Sequence, residues 1–102
     1  MLIPAIITES TTADVTINIP GIVPMNLTYK PMTLSQHQAF VRRIRDLNDA
    51  ASDQAILDEI AARVVTWSLD APVSAETVGR LQSPIGDQLY ETIFGTPSAP
   101  KR

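Results

Sequence analysis

The chain has 102 residues, 44% hydrophobic and 19% charged, with no cysteine and a net charge of −3 from eight basic and eleven acidic side chains. That length suits one domain with one modest core. The composition excludes a disulfide scaffold, thiolate catalysis and thiolate metal sites, and the acidic balance argues against nucleic-acid binding, which draws on concentrated basic charge. No apolar run approaches the ~20 residues of a membrane-spanning helix. The opening MLIPAII has no basic lead and is interrupted by Pro4, so it does not read as a signal peptide.

In chain order, Ala5–Thr8 can form a short edge strand, and Glu9-Ser10-Thr11-Thr12 reads as a polar loop. Asp14 to Ile19 alternates, with Val15, Ile17 and Ile19 on one side and Thr16 and Asn18 on the other. That is the pattern of a half-buried strand. Met25, Leu27 and Tyr29 repeat the alternation until Pro31, which lacks the N–H a ladder needs. The intervening PGIVP predicts an antiparallel hairpin with a loop of about five residues. Such a hairpin is marginal alone in water, so helices must cover its apolar face.

Thr33 and Gln36 are spaced as a capping box, and a helix is predicted from there to about Leu47, with Phe40, Ile44 and Leu47 as its stripe and Val41 beside it. Ser52 reads as the next N-cap, with Asp53 in the first turn. Ile56, Ile60 and Val64 line the second helix, widened by Leu57 and Ala61, and it is expected to finish near Val65-Thr66-Trp67, where β-branched and aromatic residues take over. Asp70-Ala71-Pro72 is a turn. Ser74 caps a short helix to about Gln82, with Glu76 in its first turn. Ser83 and Pro84 start a last helix with the stripe Ile85, Leu89 and Ile93, closed by Gly95 as a left-handed cap. The fold class expected is α+β: an N-terminal antiparallel hairpin or small sheet packed against about four helices. Residues 1–95 form the domain, and 96–102 a flexible tail.

No catalytic, cofactor or metal constellation emerges. His37 is the single histidine, near an apolar face, without a nucleophile or a zinc-type acid spacing around it. Asp46, Asp49, Asp53, Asp58 and Glu59 do not follow the ligand spacing of a calcium loop and read as solvated helix ends. Arg42, Arg43 and Arg45 can be a solvated face with Asp46 and Asp49 as exposed ion-pair partners, a protein contact, or a nucleic-acid recognition helix; the first is favoured. Trp67 reads first as core, with an indole N–H that wants an acceptor such as a backbone carbonyl, and second as an anchor for a partner at the domain edge.

An apolar helix running into Val64, Val65, Trp67 and Leu69, then Pro72, a capped helix from Ser74 with Leu81, and a Pro84-started helix with Leu89 and Ile93 resembles the small tail assembly chaperones of long-tailed bacteriophages. The entry Lys30-Pro31-Met32-Thr33-Leu34 is similar too, while the short link from Trp67 to Ser74, and Thr66 before the Trp, depart from the family pattern. The resemblance implies a non-enzymatic protein without cofactors. It would act in the cytoplasm of the bacterial host and bind the tape measure protein, with the major tail protein as a further candidate partner and self-association as an option. It implies no small-molecule substrate, while the composition makes nucleic acid a disfavoured partner and leads to the expectation of no membrane. Trp67, Leu69, Tyr90 and Phe94 are the candidate partner-binding residues, Tyr90 and Phe94 forming a stripe separate from Ile85, Leu89 and Ile93. The alternatives are a structural or connector protein of the tail-completion type and a small nucleic-acid-binding module using the arginine helix. Ala99-Pro100-Lys101 also permits, without requiring, a C CCA AAA slippery codon run, and the resemblance implies a programmed frameshift there as the source of a minority longer product.

Overall fold

The computed structural model describes residues 4–95; the expected tail at 96–102, with the Ala99–Lys101 site, lies outside the described residues. The chain forms β1 (Ala13–Ile17), β2 (Met25–Tyr29), α1 (Leu34–Arg45), α2 (Asp49–Arg63), β3 (Val64–Trp67), α3 (Ala75–Gly79) and α4 (Ser83–Phe94). The three strands make one antiparallel sheet in the order β1-β2-β3. This is the expected α+β architecture, with four helices.

Alternation decides the two faces of the sheet. Ala13, Ile17, Met25, Leu27 and Tyr29 are buried against the helices, with Val15 half-buried in the same row. The outer face is polar, and directly opposed side chains bond across it: Thr16 Oγ1 to Asn26 Oδ1 and Thr28 Oγ1 to Asp14 Oδ1, both at 2.6 Å. β1 ends at Ile17, two residues before the expected end, so the hairpin loop is longer than PGIVP. Ala5–Thr8 does not form a strand. No neighbouring strand pairs with it, and the chain turns instead through Thr8 N–H to Thr11 Oγ1 at 2.9 Å and Thr11 N–H to Thr8 O at 3.1 Å.

The third strand is the main departure from expectation. α2 stops at Arg63 and the chain passes into β3 without a loop. Pairing runs Leu27 to Trp67 and Thr28 to Thr66, then jumps to Tyr29 with Val64, leaving Val65 as an extra residue. This bulge lets Val64 turn into the core as the last member of the Ile56–Ile60 stripe while Val65 is expelled to 47% exposure. Backbone bonds at both ends clamp the strand: Lys30 N–H to Arg63 O and Ser68 N–H to Asn26 O, each 2.8 Å.

The caps explain most of the helix boundaries. Thr33 and Gln36 form the expected capping box. α2 begins earlier than expected, because Asn48 Oδ1 accepts the Ala51 N–H at 2.8 Å; Asn48, not Ser52, is the cap. α1 therefore ends before Leu47, which is 40% exposed and leaves the stripe to Phe40 and Ile44. Ser74 caps α3 as expected, with Thr77 completing the box, but the helix stops at Gly79. Gln82 holds the cap position of α4, so Ser83 is already its first residue. Gly95 is the C-cap at a positive φ of 83°, which glycine alone adopts readily, but with ψ 168° rather than the left-handed helical value, and its N–H reaches Glu91 O at 2.8 Å.

α2 touches each of the other three helices and leads directly into the sheet. Its approach to α3 is close at Gly79, where a Cβ would lie 3.3 Å from Leu57 Cδ1. Leu89, wholly enclosed, and Met25 at 1% exposure are the most deeply buried large side chains.

Burial also raises the Tyr29 hydroxyl above its ordinary pKa of 10.0. Below that value both folded and unfolded chains keep the proton, and the group leaves stability unaffected. Above it the unfolded chain ionises first and binds fewer protons, so stability falls as pH rises through the folded value. Urea titrations across this alkaline range should show a steeper loss for the natural chain than for Tyr29→Phe; equal slopes would count against this account.

Candidate functional site

The four residues singled out in sequence occupy two separate places. Tyr90 and Phe94 belong to an aromatic cluster at the C-terminal end of α4. The Phe94 ring stacks on Phe40 at 5.1 Å between centroids, meets Tyr90 at 4.8 Å and lies 6.2 Å from His37. Phe94 is buried, at 8% exposure, so it serves the core between α1 and α4 and offers no free stripe to a partner. Tyr90 is half-buried beside it. The expected split of α4 into an inward and an outward stripe fails here because α1 brings Phe40 against the second stripe as well.

Trp67 and Leu69 lie at the exit of β3. Trp67 is half-buried on the core side of the sheet, opposite Leu27. Its indole N–H donates to Ala71 O at 2.7 Å, which is the backbone partner expected for it. That bond ties the 68–71 bend to the sheet, and Leu69 stands on the bend at 36% exposure. Trp67 is thus a positioning residue for the segment that presents Leu69.

Leu69 faces a groove of about 420 Å³ lined by Ile22, Val23, Met25, Leu81 and Ile85, with the exposed Arg80 and Gln82 completing it. Three local features build its walls. Gly21, at φ 84°, turns the β1–β2 connection, and the Ile22 N–H bonds Ile19 O at 3.0 Å, so an apolar Ile-Val pair is carried on a loop. Arg80 and Leu81 close the end of α3 through bonds to Thr77 O and Val78 O. Pro84, the second residue of α4, then holds the first turn in which Ile85 is set. Val23, at 83% exposure, stands almost free at the edge of the groove. Sequence reasoning treated PGIVP only as a turn and missed Ile22 and Val23. The signal was two adjacent β-branched apolar residues in a connection, where polar residues are the rule.

The arginine helix has less free charge than its sequence suggests. Arg43 lies over the Phe40 ring at 5.1 Å and its guanidinium is 3.7 Å from Glu59 on α2. Glu59 also pairs with Arg63 at 2.9 Å. Arg43 therefore takes a partner from the neighbouring helix and not Asp46 or Asp49. Arg42 and Arg45 remain exposed.

Among the described residues, no group of three or more His, Asp or Glu side chains is arranged to hold a metal ion. No helix among them is long and apolar enough to cross a membrane. Comparison of the chain with protein-family models, with curated proteins and with solved structures finds no match.

Proposed function

We propose that this protein is a non-enzymatic tail assembly chaperone of a long-tailed bacteriophage, acting in the host cytoplasm on the tape measure protein. The observation that carries the reading is the apolar groove of Leu69, Val23, Leu81 and Ile85, open to solvent on a small acidic domain. A groove of this kind suits the apolar face of an amphipathic helix, read at i, i+3 and i+4 positions. A long helical partner offers many such faces, and coating it requires burial of apolar area without chemistry. The nucleic-acid alternative is weakened by the engagement of Arg43 with Phe40 and Glu59.

The test is co-purification with helical segments from the longest reading frame of the same gene cluster. Leu69→Asp and Val23→Asp should each weaken capture at least about tenfold, since a charge in a desolvated anchor site costs more than ~1.4 kcal/mol. Neither side chain belongs to the core, so thermal unfolding should shift little for the freely exposed Val23 and less than for a core substitution at Leu69. Absence of capture by the natural chain, or capture undiminished in both variants, would reject the reading.

A further inference from the structure

The sheet has two edges, and they differ. β3 is four residues long and carries the Val65 bulge, which blunts an edge against pairing. β1 is five residues long and has no proline, glycine, lysine or bulge across Ala13–Ile17. The parity of the ladder fixes what β1 offers. Ser68 N–H bonds Asn26 O and Lys30 N–H bonds Arg63 O, at the two ends of β3, so Asn26, Thr28 and Lys30 direct their backbone groups to the β3 side of the sheet. By alternation, Met25, Leu27 and Tyr29 turn theirs to Ile17, Val15 and Ala13. The backbone N–H and C=O of Asp14 and Thr16 therefore point away from the sheet, with no backbone partner among the described residues.

We propose that β1 pairs with β1 of a second copy, antiparallel about a two-fold axis at Val15, joining two three-stranded sheets into one of six. This register sets Asp14 opposite Thr16 of the other copy, so both outward-pointing residues exchange backbone hydrogen bonds. It keeps the faces matched: small Ala13 meets Ile17 on the core side, and Val15 meets its own copy. Val15 is the one member of the inward β1 row that folding leaves half-exposed; Ala13 and Ile17 are at 4% and 3%. The register also keeps the Asp14 carboxylate away from its own copy, whereas a two-fold at Asp14 would oppose like charges. A closed, isologous contact of this size gives a reversible dimer rather than a fibre. This inference does not depend on what the Leu69 groove binds.

The test is sedimentation velocity of the natural chain from ten to several hundred micromolar, beside Thr16→Pro and Thr16→Val. Proline removes an N–H that points outward and leaves the β1–β2 ladder intact, a place where an edge strand tolerates it. Valine keeps the N–H and removes only the hydroxyl. The natural chain and Thr16→Val should show a concentration-dependent dimer, and Thr16→Pro should stay monomeric with an unchanged circular dichroism spectrum. Should Thr16→Pro misfold, hydrogen exchange of the Asp14 and Thr16 amides decides, since they should slow as the concentration of the natural chain rises. A natural chain that stays monomeric throughout, with amide exchange independent of concentration, would overturn the proposal. So would a Thr16→Pro variant that folds and dimerises as well as the natural chain.

Discussion

Phe94→Ala should lower the unfolding free energy by about 3–5 kcal/mol, the range for removing a buried aromatic ring from a packed core. The ring is enclosed by Phe40, Tyr90 and His37, and its stack on Phe40 at 5.1 Å adds a specific contact to the lost apolar burial. Domains of this size have about 5–15 kcal/mol in total, so this one change removes a large share. Urea unfolding should show the midpoint falling with an unchanged slope. The measurement also separates two roles. If Phe94→Ala cost less than about 1 kcal/mol and instead weakened capture of the helical partner, the contact surface would have to be moved to this end of α4.

Leu89→Ala should cost about 2–5 kcal/mol, with the upper part expected because the side chain is wholly enclosed and sits between Ile85 and Ile93 on the inward stripe of α4. The loss combines the transfer of the removed carbons with the cavity left behind, since elements on several sides hold the space open. Leu89→Met keeps the volume and should cost less than about 1.5 kcal/mol. The contrast between the two variants, read by the same urea titration, is the informative quantity. Equal costs would mean that shape rather than volume governs the site, contrary to this account. Leu69, on the same molecule, should behave in the opposite way, with little stability at stake and binding sensitive to its loss.

These variants show why the core was easier to read than the surface. Ile85, Leu89 and Ile93 recur every four residues, and a helix with one such stripe has one way to bury it. Tyr90 and Phe94 form a second apolar row on the same helix, and periodicity does not say which neighbours approach it. Phe40 on α1 comes from far away in sequence, and its arrival made Phe94 part of the core. The groove was hidden for the same reason: Val23, Leu69, Leu81 and Ile85 come from four segments, and although Leu69 stood out as a candidate contact, its local pattern does not say that the other three meet it.

By itself the sequence determined the α+β class, the faces of the β1–β2 hairpin, the Thr33 and Ser74 caps and the inward stripe of α4. Each follows from short-range rules: alternation of period two, recurrence near 3.6, and side-chain oxygens placed to accept orphan N–H groups. Only the tertiary structure decided that Val64–Trp67 is a strand. Val64 continues the helical stripe of Ile56 and Ile60, so the local pattern favours both states. The backbone groups of Asn26 and Thr28 on β2, and of Lys30 just beyond it, tip the balance by giving the stretch from Arg63 to Ser68 a ladder to join. That choice fixes Trp67 against Ala71 O, and with it the bend that carries Leu69 to the groove.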